Sequence, residues 1–406
     1  MPGQVTTTNK NINNTNVRNN TGNRNTKQRV DNHNHEQDMS KIPTADGIPI
    51  PQILAGPPSN PDPDDAKKPE KAKDLTKESP SRFSLKITAG FWRSLQCIGM
   101  SLHFLANPRP PNPTFTRSIK STISYKKGNI QLHFYTPKKY NEGKKAGKKY
   151  PAVVNFHGGG FTLGNATDDA RFARFVLEKC DAIFVSVDYR LAPDFPFPIA
   201  VDDGADAILY LVNNADEFGI DPQRLATSGF SAGGNIAITS PMRLTSHLKT
   251  LSSPPREHKI RAIATWYPIT DYTLSRAERR ASSIRPDQTI PHTLTQLFDA
   301  AYLFPADLNL ANPFLSPSKA SDQVLKESIP EHVIFYTCEW DMLLKEGQEF
   351  ADRLKSKPIG KNVRYKMIPE VPHGWDKSPD PVRPAAMSEE LYGECCAALK
   401  EILKAD

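Results

Sequence analysis

The sequence has 406 residues, of which 38% are hydrophobic, and it carries a formal net charge of +7 at neutral pH. This length allows one large domain or two modest ones. Basic residues occur along the whole chain, and the lysine-rich stretch 138–150 lies between two strand-like runs, where a solvated loop is expected. Because nucleic-acid binding requires a basic stripe with interleaved aromatic residues, the composition argues against a nucleic-acid partner.

The cysteines and the N-terminus both indicate a reducing, cytoplasmic location. The N-terminus lacks the apolar core of a signal peptide. The five cysteines are odd in number, and they show neither Cys-x-x-Cys nor Cys/His spacing, which argues against a disulfide framework and against a zinc site. They are Cys97, Cys180, Cys338, Cys395 and Cys396. No metal is therefore expected.

The N-terminal part of the chain has the composition of a disordered segment. It begins with an Asn- and Thr-rich stretch without apolar periodicity, and residues 48–80 are rich in proline and charge. Such a segment cannot bury enough apolar surface to offset the entropy that ordering costs. The sequence therefore predicts a disordered tail over residues 1–83 and a folded domain over residues 84–406.

The folded part is predicted to begin with a helix over residues 87–106. Apolar side chains recur there at spacings of four and three, which places them on one helix face. They are Phe91, Leu95, Ile98, Leu102 and Leu105. The favoured interpretation is a helix packed on the domain; a membrane-surface helix is the alternative, because Arg93, Gln96 and His103 lie off that face. A membrane-spanning helix is disfavoured, because Arg93 lies inside a barely sufficient length.

The rest of the chain alternates strand patterns with helix patterns. Residues 117–137 predict an antiparallel hairpin with a Lys-Gly-Asn turn. From residue 151 onward, the alternation predicts a mainly parallel sheet covered by helices on both faces, with ligands bound at the carboxyl ends of the strands. Residues 272–312 interrupt it with short helical pieces, which indicates an insertion that forms a small helical cap.

Three consecutive glycines follow the first buried strand of this alternation, in the sequence VVNFHGGGF at 153–161. A run of glycines costs backbone entropy, so it indicates either a tight turn or N–H groups aimed at a ligand. A phosphate site is disfavoured, because no Lys-Ser or Lys-Thr follows the glycines and the Gly-x-Gly-x-x-Gly spacing is absent. Such N–H groups can also bind the oxyanion of an acyl-transfer intermediate.

The candidate nucleophile is Ser231, in the Gly-x-Ser-x-Gly pattern of Gly229–Gly233. The pattern lies between a predicted strand and a predicted helix, which is the context of a nucleophile elbow. The sharp turn exposes the hydroxyl, the flanking glycines leave room where a Cβ would clash, and the helix start supplies the Ala232 N–H group. Together with the glycine run, this predicts an oxyanion hole formed by Gly159, Gly160 and Ala232.

A serine hydroxyl needs a base within hydrogen-bond reach, and in this topology the chain order is serine, carboxylate, histidine. His373 follows the last predicted strand and is the candidate base. Glu339 and Asp341 both follow the preceding strand, so residue order alone leaves two candidates for the acid. His157 precedes the oxyanion loop, and we expect it, with Gly158, to support that loop by hydrogen bonding rather than to act as a base.

Several motifs in order resemble the hormone-sensitive-lipase-like group of α/β-hydrolase carboxylesterases. They are HGGGF, VDYRLAPDFPFPIAVDD at 187–203, DPQRLATSGFSAGGN, WDMLLKEG and PHGW, within a resemblance that covers residues 118 to 404. The resemblance implies the α/β-hydrolase fold, with Ser231 as nucleophile, Asp341 as orienting acid and His373 as general base. It also implies a helical cap built from residues of about 84–115 and 272–312.

The resemblance further implies a serine esterase that acts through an acyl-enzyme on carboxylic esters with short or medium acyl chains. The partner is then a small-molecule ester, and no cofactor is needed; the oligomeric state stays open. Two alternatives remain, an amidase or deacetylase with the same triad and a non-catalytic small-molecule receptor on the same fold. Receptors that resemble this group have lost the catalytic histidine, so His373 argues against the second. Phe230, where many members carry Asp, is a departure that alters the pocket wall.

Overall fold

A computed structural model of the protein describes residues 80–253, 255–377 and 386–404. In these residues, eight strands form one sheet. They are β1 (Phe115–Lys120), β2 (Asn129–Tyr135), β3 (Tyr150–Phe156), β4 (Ile183–Asp188), β5 (Ile220–Phe230), β6 (Ile260–Trp266), β7 (His332–Cys338) and β8 (Asn362–Ile368). The predicted disordered tail lies outside the described residues up to residue 79, whereas residues 82 and 83 already belong to the first helix.

The sheet is mainly parallel, as predicted. Its strands lie in the order β1-β2-β4-β3-β5-β6-β7-β8. β1 pairs antiparallel with β2, which is the predicted hairpin, and β2 pairs antiparallel with β4. All other neighbours are parallel. The carboxyl ends of β3 to β8 therefore meet at one edge of the sheet, where residues from distant parts of the sequence come together.

Helices cover both faces of the sheet. In the described residues they are α1 (Arg82–Leu105), α2 (Tyr140–Lys145), α3 (Ala170–Phe175), α4 (Ile199–Asn213), α5 (Ala215–Phe218), α6 (Ala232–Leu248), α7 (Arg276–Ser282), α8 (His292–Tyr302), α9 (Asp322–Ser328), α10 (Leu344–Lys355) and α11 (Ala386–Ile402). All seven residues of β3 are buried. Val154 packs in the core shared with Ile236 of α6, whereas Val153 packs in the opposite core with Phe172 of α3. Successive strand side chains thus point to opposite faces, which explains the continuous apolar run of this strand.

The insertion after β6 meets α1 at the carboxyl edge of the sheet. Leu297 of α8 packs against Leu85 and Ala89 of α1. The Arg82 guanidinium at the start of α1 donates hydrogen bonds to the carbonyl oxygens of Ala300 (3.2 Å) and Ala301 (3.1 Å). We call α1, α7 and α8 the cap helices.

The apolar face predicted for α1 does not pack on the domain. Its five apolar side chains are between 44% and 64% exposed. The opposite face is the one that packs, because its polar residues find buried partners. Arg93 donates to the carbonyl oxygens of Thr162 (2.9 Å) and Ala192 (2.7 Å), and His103 lies 3.0 Å from the Nε of Arg171. The favoured interpretation was therefore right about the packing of the helix and wrong about its face. Within the described ranges, no helix is long and apolar enough to span a bilayer.

A buried ion pair connects the cap helices to the rest of the domain. Arg279 of α7 donates to the carboxylate of Glu346 in α10 at 2.6 Å, and both side chains are 2% exposed. Glu346 also accepts from the backbone N–H groups of Thr270 (2.8 Å) and Asp271 (3.2 Å). Burial raises the pKa of Glu346, while Arg279 and the two N–H groups act in the opposite direction. The guanidinium and the two N–H groups together offset the cost of burying the charged carboxylate.

We predict that Arg279→Ala lowers the free energy of unfolding by about 3–5 kcal/mol, because it leaves a buried carboxylate without its cation. Lys249→Ala is the matched control, since it breaks the exposed pair with Glu327 (2.7 Å). That change should cost far less, because water already solvates both partners of an exposed pair. Urea unfolding of the two variants measures both values, and equal losses would contradict the role given to the buried pair.

Candidate active site

Ser231 lies at a sharp turn between β5 and α6. Its backbone has φ 54° and ψ −118°, a conformation that side-chain-bearing residues rarely adopt. A Cβ at Gly229 would lie 2.1 Å from the carbonyl oxygen of Gly233, and a Cβ at Gly233 would lie 1.9 Å from that of Phe156. Only glycine fits at both positions. The strain and the close approaches are those of a nucleophile elbow.

The structure brings Ser231, His373 and Asp341 into one hydrogen-bonded chain. The Nε2 atom of His373 lies 2.7 Å from the Ser231 Oγ, and its Nδ1 atom lies 2.6 Å from the Asp341 carboxylate. With the proton on Nδ1, the imidazole donates to Asp341 and accepts from the serine hydroxyl. Asp341 is 1% exposed and also accepts from the Leu343 N–H group at 3.0 Å. These contacts hold the carboxylate in place.

Glu339, the other candidate for the acid, is directed elsewhere. Its carboxylate accepts a hydrogen bond from the backbone N–H group of Glu370 at 2.8 Å. Its own N–H group donates to the carbonyl oxygen of Ile368 in β8, whereas that of Asp341 turns back to Cys338. The chain therefore leaves the sheet between the two carboxylates, and only Asp341 meets His373.

The glycine run forms a turn beside Ser231. Gly159 has φ 115°, and its carbonyl oxygen accepts from the N–H groups of Thr162 (3.0 Å) and Leu163 (2.8 Å). Among the described residues, the N–H groups of Gly159 and Gly160 donate to no protein acceptor. Ala232 begins α6, where helix geometry leaves the first N–H groups without an intrahelical partner. The three groups predicted to form an oxyanion hole are thus available for hydrogen bonding.

His157 lies behind this turn, fully buried. Its Nδ1 atom lies 2.8 Å from the carbonyl oxygen of Gly158, and its ring stacks on Tyr189 with centroids 4.3 Å apart. The Tyr189 hydroxyl donates to the His157 carbonyl oxygen at 2.8 Å. Its contacts are those of a residue that supports the loop.

A cavity of about 510 Å³ opens above Ser231. The core contributes the glycine run, Ser231, Phe230 and His373 to its wall. The cap helices contribute Gln96 and Met100 from α1 and Leu294 and Phe298 from α8. The volume lies within the range of small-molecule sites. Among residues 80–253, 255–377 and 386–404, no cluster of His, Cys, Asp and Glu could hold a metal ion.

Lys377 is a partly buried cation of this site that sequence reasoning missed. Its ammonium lies 2.9 Å from Asp169, 3.3 Å from Asp376 and 3.8 Å from the ring centroid of Phe230. Burial lowers the pKa of Lys377, but the two carboxylates outweigh it and hold that pKa well above its usual value. Asp376 also accepts from the hydroxyl of Tyr267, whose ring meets the His373 ring edge-on. Phe230, the aromatic residue of the Gly-x-Ser-x-Gly motif, could have indicated a nearby cation in the sequence, because the face of an aromatic ring attracts positive charge.

Asp168 is a second buried ionisable group in the cavity wall. It is 5% exposed, and its carboxylate accepts from the Gln96 amide (3.1 Å) and from the Asn165 N–H group (3.1 Å). Burial raises the pKa of Asp168 to about 6. This wall therefore changes its charge within the range of mildly acidic pH.

Comparisons with known proteins agree on one family. Residues 153–377 match the model of a protein family whose description is alpha/beta hydrolase fold. Carboxylesterase NlhH of Mycobacterium tuberculosis is 32% identical over 255 residues, which are 63% of this chain and 75% of that protein. An AB hydrolase superfamily protein of Schizosaccharomyces pombe is 30% identical over 215 residues, 53% of this chain and 61% of that protein. The solved Pyrobaculum calidifontis esterase has 27% identity and a TM-score of 0.64, and the match covers 78% of this chain and 94% of that one.

The chain belongs to the α/β-hydrolase fold family, in its hormone-sensitive-lipase-like group. Within that group it is a carboxylesterase-like enzyme, since its named relatives and its structural neighbours include carboxylesterases and esterases. The predictions of the family, of the fold class and of an enzyme are confirmed. The chain spans less than two thirds of the S. pombe relative.

We predict that Asp168→Asn changes how the stability of the protein depends on pH. A pKa that is higher in the folded than in the unfolded protein makes wild type less stable as pH rises from about 4 to about 6, by at most about 3 kcal/mol. The amide does not titrate, so the variant should gain stability relative to wild type across that interval. Urea unfolding between pH 4 and pH 7 measures the difference, and a constant difference would show that folding does not raise the pKa of Asp168.

Proposed function

We propose that the protein is a serine hydrolase that cleaves carboxylic esters with short or medium acyl chains through an acyl-enzyme. The observation that carries the proposal is the chain of hydrogen bonds from Ser231 to His373 (2.7 Å) and from His373 to Asp341 (2.6 Å). It lies at the base of a cavity that also exposes the glycine run. A nucleophile, a base and an orienting acid in this arrangement carry out acyl transfer in unrelated folds.

In the first half of the proposed reaction, the Ser231 oxygen attacks the ester carbonyl carbon while the Nε2 atom of His373 accepts its proton. Asp341 holds the tautomer in which Nε2 is free to accept, and its charge stabilises the imidazolium that forms. Collapse of the tetrahedral intermediate breaks the bond to the alcohol oxygen, which takes the proton from His373. The acyl group remains on Ser231.

In the second half, water attacks the acyl carbon while His373 accepts a proton from it. Collapse releases the carboxylic acid and returns the proton to the Ser231 oxygen. Both tetrahedral intermediates carry a negative charge on the former carbonyl oxygen. The N–H groups of Gly159, Gly160 and Ala232 are the proposed donors to it, and one such donor contributes about 3–4 kcal/mol in another hydrolase.

The shape of the cavity supports a substrate of limited size. Leu294 and Phe298 of α8 and Met100 of α1 line the wall that the cap contributes. Phe298 lies directly above the glycine run, since a Cβ at Gly160 would lie 2.3 Å from its ring. An acyl chain must therefore fit between the cap helices and the core. The 2.7 Å contact between Ser231 and His373 supports catalysis over the receptor alternative.

We predict turnover of p-nitrophenyl esters that declines as the acyl chain lengthens beyond medium size, because the cap limits the cavity. Ser231→Ala should remove turnover of every ester, since no other nucleophile replaces the hydroxyl. A fluorophosphonate probe should label wild type and not the variant. Aryl amides measured beside the esters separate an esterase from an amidase. No turnover of any substrate by wild type would favour the receptor, and full labelling of the variant would remove Ser231 from its role.

We predict a loss of about four decades in kcat for Asp341→Asn, the effect of the equivalent change in a serine protease, because the amide no longer holds the required tautomer of His373. Glu339→Gln is the matched control, because it changes a carboxylate two residues away that binds a backbone N–H group instead. Its loss should be less than about tenfold. Steady-state kinetics on one ester compare the two variants, and the reverse order of their losses would assign the acid to Glu339.

A further inference from the structure

The outward face of α1 is a continuous apolar strip. Seven large apolar side chains lie on it, and each is between 44% and 73% exposed. They are Phe83, Ile87, Phe91, Leu95, Ile98, Leu102 and Leu105. Their spacings of four and three keep them on one side over the whole 24-residue helix. An apolar strip of this extent on a protein surface marks an interaction site.

The strip is held outward by the contacts of the opposite face. Arg82 and Arg93 donate to backbone carbonyl groups of the hydrolase domain, and Leu85 and Ala89 pack on α8. The helix is therefore anchored without the seven apolar residues. Turning it to bury them would break these hydrogen bonds.

The sequence around the strip is strongly basic. Residues 67–109 contain nine lysines and arginines against three acidic residues, so they account for +6 of the net charge of +7. Helix α1 itself carries no acidic residue, and its basic residues Arg82, Lys86 and Arg93 bind the domain, Lys86 through an ion pair with Asp194. An amphipathic helix with basic flanks binds membranes that contain anionic lipid, through buried apolar area and through charge attraction.

We propose that this strip docks on an anionic phospholipid surface, with α1 lying in the plane of the membrane interface. A second copy of the chain is disfavoured as the occupant, because a symmetric contact through α1 would bring together two copies of residues 80–109, which carry four basic residues and no acidic one. The inner face of the same helix lines the cavity through Gln96 and Met100. Docking therefore places the lipid surface one helix diameter from the site, about 10 Å.

The test is binding of the full chain to vesicles, which does not depend on enzymatic activity. Vesicles of phosphatidylcholine alone are compared with vesicles that contain about 30% phosphatidylserine. We expect sedimentation with the anionic vesicles, weaker binding to the neutral ones, and partial release when salt rises to about 0.5 M.

The variant Phe91→Ser with Ile98→Ser removes two of the most exposed side chains of the strip, 64% and 62% exposed. It should weaken binding to the anionic vesicles by about tenfold or more, because two apolar side chains no longer leave water. Leu251→Ser is the control, since Leu251 is also exposed (38%) but lies outside the strip. Both variants should keep the melting temperature of wild type, which shows that the fold is intact.

Unchanged vesicle binding by the double variant, or no binding by wild type, would overturn the proposal. Light scattering after size-exclusion chromatography gives the oligomeric state of each variant and so tests a second copy of the chain as the occupant. A wild-type dimer that the double variant converts to a monomer, without vesicle binding by either, would assign the strip to a second copy of the chain.

Discussion

The backbone contact between the first turn of α6 and the end of β3 is the constraint on which the site depends. At residue 233 a methyl group would lie 1.9 Å from the carbonyl oxygen of Phe156, so the two segments touch backbone to backbone. This contact places the serine that follows β5 beside the glycine loop that follows β3. Both are then held by neighbouring strands of a rigid parallel sheet. His373 and the cap helices α1 and α8 line the cavity beside these two strand ends.

Much of the fold and the positions of Ser231 and His373 could be predicted from the sequence, because those features depend on local patterns. Alternating strands and helices, glycines around a serine, and a histidine after a strand are all readable within a few residues. The distinction between Asp341 and Glu339 is different. It depends on how β7 pairs with β8, since that pairing directs Glu339 to the backbone of Glu370. Only the resemblance to a family favoured the residue that the structure brings to His373.

The features that sequence reasoning missed are polar groups whose partners lie far along the chain. Arg93 indicates a solvent-facing side of α1, yet its guanidinium binds two carbonyl groups that lie 69 and 99 residues away. Lys377 is also paired with a residue far along the chain, because its partner Asp169 belongs to another part of the sheet edge. A buried charge is tolerated only when its partners are complete, and no local pattern records those partners. The outward face of α1 follows from the same cause, since Arg82 and Arg93 bind the domain beside the apolar contacts of Leu85 and Ala89.

Gln96 gives α1 a role beyond covering the cavity. Its carboxamide accepts a hydrogen bond from the Gly164 N–H group (2.8 Å) and donates one to Asp168 (3.1 Å). Gly164 ends the loop that carries Gly159 and Gly160, so the helix tethers the far end of that loop. A shortened chain that began at β1 would keep Ser231 and His373, but the loop that carries the proposed oxyanion donors would lose this tether. Under the proposed mechanism, its defect would therefore lie in the rate of the chemical step as well as in the fit of the substrate.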